Sequence, residues 1–196
     1  MIDYDELNFV MVPGLENSGP EHWQSRWQPV LGASRVIQRD WSNPTDLDQW
    51  ANGVVRHLEC RPPAVLIAHS LGCLAVARAW PRIRSRVRAV LFVAPANPRY
   101  FGFSAIASYI AVPSMLIASR NDLWLAFEDA RRLATLWGSE LVDLGPVGHI
   151  NVASGHGYWP EGWRLLGDLL TRSGLPGLLV TDSAGCASAA PSAVCG

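Results

Sequence analysis

Short apolar segments alternate along the chain with segments of helical periodicity, and this alternation constrains the fold more than any other feature. The apolar segments predict β-strands at residues 7–13, 34–39, 64–69, 87–95, 112–122 and 139–145. The periodic segments predict helices at residues 21–31, 43–59, 71–80, 125–138 and 159–172. Strands that are apolar on both faces are typical of a parallel sheet buried between helices. We therefore expect an α/β fold with a mostly parallel six-stranded sheet and helices on both faces.

Two predicted helices have ends marked by particular residues. Thr45 is a candidate N-cap of the second helix, because its hydroxyl can accept a hydrogen bond from a free backbone N–H of the first turn. Pro81 is expected to end the third helix, because proline has no N–H and its ring clashes with the preceding turn.

The length and composition of the chain fit one domain with a tail. Hydrophobic residues make up 49% of the 196 residues and charged residues only 17%, which is typical of a folded domain with a large core. Periodicity stops at residue 173, where a segment rich in small residues begins. We therefore expect residues 1–172 to form the domain and residues 173–196 to be a mobile tail.

The charge balance and the apolar segments exclude several classes of partner. With 16 Lys and Arg against 17 Asp and Glu, the chain has no basic excess to neutralise phosphates, so no nucleic-acid partner is expected. No apolar run approaches the ~18 residues of a membrane span. The N-terminus does not have the pattern of a signal peptide, which makes the cytoplasm the expected location. The four cysteines form no CxxC pair, and neither a metal nor another cofactor is expected.

The segment AVLIAHSLGC, residues 64–73, places a serine where a buried strand meets a helix. A strand–serine–helix turn of this kind holds a nucleophilic serine in a strained conformation with its hydroxyl exposed. The residues two before and two after Ser70 must be small because backbones approach closely there, and Ala68 and Gly72 meet that demand. Ser70 also lies at the carboxyl edge of the predicted sheet, where α/β proteins bind ligands.

A serine hydroxyl needs a base, and the base needs a third group that orients it. Asp122 ends the fifth predicted strand and His149 follows the sixth, in the chain order serine, acid, histidine of α/β hydrolases. Asp143 and Asp129 are the competing acids, but Asp143 lies within a strand and Asp129 on a helix. The triad predicted from the residues is therefore Ser70, Asp122 and His149.

The other histidines are weaker candidates for the base. His156 is the rival of His149, and we interpret it as an ordinary loop residue. His22 and His57 precede the serine and are interpreted as helix residues. His69 lies directly before Ser70, between the serine and the small residue Ala68, where the turn requires no particular residue type. It is given no catalytic role.

The oxyanion formed during acyl transfer needs backbone N–H donors. One is expected from Leu71, the residue after the serine. The second is expected from the loop PGLENSG after the first strand, where Gly14 allows a close approach and Leu15 supplies the N–H, with Glu16 as the alternative register.

Longer motifs agree with this assignment. The segments VPGLENSGPEHWQSRW, AHSLGC, SRND, LWGSELVDLG and GHINVASGHGYWPEG make residues 8–171 resemble the RBBP9/YdeN family of small serine hydrolases, within the α/β-hydrolase superfamily. The resemblance implies a compact α/β-hydrolase fold with strand order 2-1-3-4-5-6 and the triad Ser70, Asp122 and His149. The chain departs from many α/β hydrolases in having Pro13 before the oxyanion loop and Leu123 after the acid.

The segment in which α/β hydrolases insert a lid is short. Residues 95–111 number only 17, too few for a cap domain, so an open site without a large lid is expected. Aromatic residues are predicted to rim it and to favour an apolar acyl or aryl group, namely Trp23, Tyr100, Phe101, Trp124 and Trp159.

The predicted activity is hydrolysis of small carboxylic esters through an acyl-serine intermediate. A peptidase or amidase would use the same residues on a small-molecule amide and differ only in the leaving group. The alternative of another class is a protein-binding module on a hydrolase scaffold, with a partner that the sequence does not identify, because a fold does not determine its function.

Overall fold

Parallel strands form a six-stranded sheet in the order β2-β1-β3-β4-β5-β6, with every neighbouring pair parallel. The computed structural model describes residues 8–103 and 109–178. The strands are β1 (Asn8–Val12), β2 (Ser34–Arg35), β3 (Ala64–His69), β4 (Val87–Val93), β5 (Ser114–Ala118) and β6 (Glu140–Asp143). The predicted fold class, strand number and strand order are confirmed.

Five α-helices cover the two faces of the sheet in the described part of the chain. They are α1 (Trp23–Val30), α2 (Leu47–Leu58), α3 (Leu71–Ile83), α4 (Phe127–Trp137) and α5 (Pro160–Arg172). Alternate residues of the central strands join two separate cores, one with α2, α3 and α4 and the other with α1 and α5. This arrangement follows from the period of two along a strand, which sends successive side chains to opposite faces.

Two helix ends differ from the prediction. The N-cap of α2 is Asp46, whose carboxylate accepts from the Gln49 N–H at 2.9 Å, whereas the hydroxyl of Thr45 donates to Asn43. Helix α3 does not stop at Pro81 but continues to Ile83. A proline in the last turn removes only one backbone hydrogen bond, so the helix can run on for two residues.

The second predicted strand is shorter than expected. It pairs with β1 over Ser34 and Arg35, with one further hydrogen bond from the Val36 N–H to the Met11 carbonyl at 2.9 Å, although a strand is predicted over residues 34–39. Beyond this point the chain leaves the sheet edge, and the buried Gln38 side chain donates to the Trp50 carbonyl at 3.3 Å. A side-chain contact with α2 therefore replaces strand pairing.

Between β4 and β5 the described residues form one short 3-10 helix, Pro98–Phe101. At the other end of the chain, Leu175 and Leu178 pack against the α1–α5 core, so packing extends past the predicted domain limit at residue 172. The remainder of the predicted tail, residues 179–196, lies outside the described residues. Within the described ranges, no helix has the length and apolar character needed to cross a bilayer.

Candidate active site

Ser70 occupies a strained turn between β3 and α3. Its backbone has φ 53° and ψ −123°, a conformation that costs a non-glycine residue on the order of 1–3 kcal/mol. Its N–H donates to the Val93 carbonyl at 3.1 Å, which fixes the turn to the end of β4. A side chain on Gly72 would place its Cβ 2.2 Å from the Val12 carbonyl oxygen, so only glycine fits there. The sharp turn predicted around Ser70 is thus present, with its hydroxyl at the carboxyl edge of the sheet.

A continuous hydrogen-bonded chain links Ser70, His149 and Asp122. His149 Nε2 lies 2.9 Å from Ser70 Oγ, and His149 Nδ1 lies 2.8 Å from Asp122 Oδ2. The side chains of His149 and Asp122 are 11% and 3% exposed, so water competes little for these contacts. In the tautomer that this network requires, Nδ1–H donates to the carboxylate and Nε2 accepts from the serine hydroxyl.

Residues at the end of β5 hold both the Asp122 carboxylate and the loop that precedes His149. Asp122 Oδ1 accepts from the Trp124 N–H at 2.8 Å, which orients the carboxylate. The Asn121 side chain accepts from the Gly148 N–H at 2.7 Å, and Ser119 Oγ accepts from the Val147 N–H at 3.0 Å. One strand end therefore sets the position of Asp122 and of the residues before His149.

The competing acids lie in ordinary ion pairs. Asp143 faces outward and accepts from Arg120 Nε at 2.8 Å, and this hydrogen bond lowers the pKa of its carboxyl group. Asp129 pairs with Arg132 along α4 at 3.0 Å. Neither carboxylate hydrogen-bonds to a histidine in the described part of the chain.

The competing histidines are also bonded elsewhere. His156 Nδ1 lies 3.0 Å from the hydroxyl of Ser154, and burial lowers the pKa of its imidazole. His57 Nε2 lies 2.8 Å from the hydroxyl of Ser34, at the far end of α2. His149 is thus the histidine whose ring contacts Ser70.

His69, which has no catalytic role predicted from the sequence, lies directly against His149. Its Nε2 donates to the backbone carbonyl of His149 at 3.1 Å, and the two ring centres are 5.0 Å apart. The next carbonyl, that of Ile150, accepts from Trp23 Nε1 at 2.8 Å. Ile150 has φ 49°, which is costly for a β-branched residue and has to be maintained by such contacts. Only the position of His69 beside the serine offered a sequence signal for this contact.

His22 forms a second layer behind His69, with ring centres 4.8 Å apart. It is the N-cap of α1, and its Nδ1 accepts from the Gln24 N–H at 3.2 Å. Burial, with the nearby Arg35, lowers the pKa of His22 to about 4, and burial also lowers the pKa of His69. Both imidazoles are therefore neutral at neutral pH.

The loop between β1 and α1 packs against the serine turn. A Cβ on Gly14 would lie 2.8 Å from Ser70 Cβ, so the close approach predicted for this glycine is present. Leu15 follows Gly14 directly in this loop, and Leu71 is the first residue of α3, where a backbone N–H has no partner within the helix. The N–H of Glu16 instead donates to the Trp41 carbonyl at 2.9 Å.

The predicted aromatic rim divides into exposed and buried members. Tyr100 is 62% exposed, and Trp124 is 44% exposed with its ring centre 6.1 Å from that of His149. Phe101 is partly buried and packs against the core. Trp23 and Trp159, at 0% and 5% exposed, are core residues, so the expectation that they rim the site is wrong.

The two buried tryptophans pack with other residues of the α1–α5 core. Trp23 packs on Trp27 and Trp159, with ring centres 4.7 and 5.0 Å away, and joins α1 to α5. Leu123, which directly follows Asp122, is 89% exposed. Across residues 8–103 and 109–178, no group of three or more His, Cys, Asp and Glu side chains could hold a metal ion.

Comparisons with known proteins identify the family of the chain. The model of the serine hydrolase family matches residues 9–168. A protein from Pectobacterium atrosepticum described as a YdeN-like hydrolase is 38% identical, with 88% of this chain and 94% of that chain covered and a TM-score of 0.81. No curated protein matches the chain.

More distant structures share the fold. The ydeN gene product of B. subtilis is 17% identical, with 85% of this chain and 99% of that chain covered and a TM-score of 0.66. Thermogutta terrifontis esterase 2, phosphorylated by paraoxon, is 16% identical, with 86% and 83% covered and a TM-score of 0.63. The resemblance found in the sequence motifs is confirmed, and the chain belongs to the serine hydrolase family, as a YdeN-like α/β hydrolase.

Proposed function

We propose that the protein hydrolyses small carboxylic esters through an acyl-serine intermediate, with Ser70 as nucleophile, His149 as base and Asp122 as the orienting acid. The observation that carries this proposal is the unbroken hydrogen-bonded chain from Asp122 through His149 to Ser70, with contacts of 2.8 and 2.9 Å. A base in contact with a serine hydroxyl and oriented by a buried carboxylate is the arrangement that nucleophilic acyl transfer needs.

The reaction follows from these contacts. Ser70 Oγ attacks the ester carbonyl carbon while its proton passes to His149 Nε2, and Asp122 stabilises the imidazolium that forms. His149 then gives the proton to the departing alkoxide, and the alcohol leaves an acyl-serine. Water attacks the acyl carbon by the same route, with His149 taking its proton, and releases the carboxylic acid and Ser70.

We assign the stabilisation of the negative charge on the carbonyl oxygen to two backbone N–H donors. Within the described residues the Leu71 N–H donates to no acceptor, and it lies at the start of α3, where the helix dipole also favours an anion. Leu15 N–H is the second proposed donor, because Glu16 N–H already donates to the Trp41 carbonyl. Gly14 brings this loop close enough to Ser70 for Leu15 to contribute.

The proposed substrate has a small apolar acyl group. Leu123 and Trp124 are exposed and adjoin Asp122, and the Trp124 ring lies 6.1 Å from that of His149. Tyr100 lies in the 3-10 helix Pro98–Phe101. This helix is held near Trp124, because the Asn97 N–H donates to the Trp124 carbonyl at 3.0 Å. Exposed apolar side chains around a nucleophile favour substrates that cover them.

The decisive test uses a fluorophosphonate probe and a panel of p-nitrophenyl esters and aminoacyl amides. The wild-type protein should be labelled and should turn over esters. Ser70→Ala should lose labelling and at least about 10³-fold in kcat/KM, with an unchanged circular dichroism spectrum. Faster turnover of amides than of esters would make the protein an amidase or peptidase. A folded wild type without labelling or turnover would instead support the protein-binding alternative.

A further inference from the structure

Arg35, at the end of the edge strand β2, connects the β1–α1 loop to helix α1. Its Nη1 donates to Asn17 Oδ1 and to the Ser18 carbonyl, both at 2.9 Å. Its Nη2 donates to Ser25 Oγ at 2.8 Å, and its Nε donates to Gln28 Oε1 at 2.8 Å. One planar guanidinium therefore fixes two consecutive loop residues against two side chains of α1.

The charge of Arg35 has no carboxylate counterpart among the described residues. All four of its acceptors are neutral oxygens. Partial burial lowers the pKa of this guanidinium, which reflects the cost of removing a cation from water. A neutral side chain could attach an edge strand to a helix at a lower desolvation cost. What arginine adds is a planar fork of donors, which can hold several acceptors in a fixed arrangement.

The loop that Arg35 holds has a strained backbone. Glu16 and Asn17 are consecutive left-handed residues, with φ of 60° and 64°. This conformation costs a residue with a side chain roughly 1–2 kcal/mol. The turn is closed by the Asn17 N–H, which donates to the Gly14 carbonyl at 3.1 Å. The conformation of residues 14–17 therefore depends on how Asn17 and Ser18 are held.

We infer that Arg35 is a positioning residue for the oxyanion site: by holding Asn17 and Ser18, it keeps the Leu15 N–H directed at the oxygen that becomes negative. The inference rests on the proposed function, because it presupposes attack by Ser70 on a carbonyl carbon. The oxyanion exists only in the transition state and the tetrahedral intermediate. Loss of Arg35 should therefore lower kcat more than it raises KM.

The test compares Arg35→Gln, Arg35→Lys and wild type on p-nitrophenyl butyrate, with phenylboronic acid as a tetrahedral mimic. Arg35→Gln should lower kcat by about ten- to a hundredfold, less than or equal to the loss of a complete donor, with KM within about threefold. Its affinity for phenylboronic acid should fall by about the same factor as kcat/KM. Arg35→Lys, which keeps the charge but not the planar fork, should recover part of the loss.

Arg78→Gln is the matched control, because Arg78 pairs with Asp48 at an exposed position on α3 and α2. It should behave as wild type. If Arg35→Gln does not fold, Ser25→Ala removes one acceptor of the guanidinium and should lower kcat and phenylboronic acid affinity together by a smaller factor.

The inference is overturned if the folded Arg35→Gln, or Ser25→Ala in its place, keeps kcat within twofold of wild type, or if only KM changes. A wild-type protein without turnover or probe labelling contradicts the proposed function itself. An active wild type with an inert Arg35 contradicts only the role of Arg35, so the two failures are distinguishable.

Discussion

His69 donates from Nε2 to the backbone carbonyl of His149 at 3.1 Å, and the two imidazoles lie 5.0 Å apart, centre to centre. The residue beside the proposed nucleophile thus holds the backbone of the proposed base. Trp23 holds the following carbonyl, and Asn121 holds the N–H of Gly148 on the other side. The position of His149 is set from both directions before a substrate arrives, which is the preorganisation that acyl transfer requires.

Replacement of His69 should reveal this contact. His69→Phe keeps a ring but removes the donor, and a buried carbonyl without a partner costs about 1–3 kcal/mol of stability. We also expect kcat to fall about tenfold or more, because displacement of a catalytic group by an ångström can cost about a hundredfold. His69→Gln, whose amide can donate, should recover part of both losses.

Thermal unfolding and ester kinetics measure the two effects. His57→Gln is the control, because His57 bonds to Ser34 away from the site. If His69→Phe loses stability but keeps the wild-type kcat, the residue is structural only.

His149, not His156, should be the base. His149→Ala should lower kcat/KM by at least about 10³-fold, because no other histidine ring contacts Ser70 in the described structure. His156→Ala removes a contact with Ser154 and should keep most of the activity. Steady-state ester hydrolysis by both variants decides between them, and a larger loss in His156→Ala would mean that the base is assigned to the wrong imidazole.

Asp122, and not Asp143, should be the acid of the triad. Asp122→Asn should lower kcat by a few orders of magnitude with little change in KM, because the amide favours the wrong imidazole tautomer, a change that costs about 10⁴-fold in a serine protease. Asp143→Asn removes the exposed pair with Arg120 and should leave kcat near wild type. Measurement of kcat and KM for both variants tests the assignment, which the reverse pattern would contradict.

The sheet could be predicted from the sequence because its strands are apolar on both faces. The carboxyl ends of β3 and β5 and the loop after β6 bring Ser70, Asp122 and His149 to one edge, so strand order and motif position together indicated the candidate site. The edge strand β2 was overestimated because an apolar pattern does not reveal that Gln38 turns inward to α2.

Side-chain direction was the part that the sequence could not predict. Trp23 and Trp124 both lie near polar site residues in the chain, but Trp23 faces the α1–α5 core and Trp124 faces solvent. The contacts of His69 and Arg35 are equally hidden, because each depends on a loop distant in sequence reaching a particular carbonyl. Periodicity identifies the buried face of an element and does not identify its hydrogen-bond partners.

The buried His22 predicts a stability loss in mild acid. Its pKa is lowered from 6.5 to about 4, so below pH 6.5 the unfolded chain binds a proton that the folded chain does not. Its contribution to stability is complete above pH 6.5 and is lost as the pH falls toward 4. Between pH 7 and pH 5 this amounts to about 2 kcal/mol, at 1.36 kcal/mol for each pH unit.

Urea unfolding of wild type and His22→Asn near pH 7 and pH 5 isolates the contribution of His22, because the other groups that titrate, including His69, His156 and the carboxylates, are common to both proteins. Asparagine keeps an N-cap for α1 and removes the titration. The variant should lose about 2 kcal/mol less than wild type on acidification. Equal losses in the two proteins would show that the pKa of His22 is the same in the folded and the unfolded chain.

Among small acyl groups, the exposed rim predicts a preference for butyrate over acetate. Butyrate has two more methylenes than acetate, and each buried methylene contributes about 0.8 kcal/mol, so full contact would favour the butyrate ester by about fifteenfold in kcat/KM. Leu123→Ser and Trp124→Ala remove apolar surface beside Asp122 and should reduce that ratio severalfold while acetate turnover stays close to wild type. Leu136→Ser, at an exposed position on α4, is the matched control and should leave the ratio unchanged.

The ratio is read from p-nitrophenyl acetate and butyrate measured side by side. A ratio that is insensitive to both rim variants would place the acyl group elsewhere, because a side chain that contacts the acyl chain cannot be removed without lowering the discrimination between the two esters.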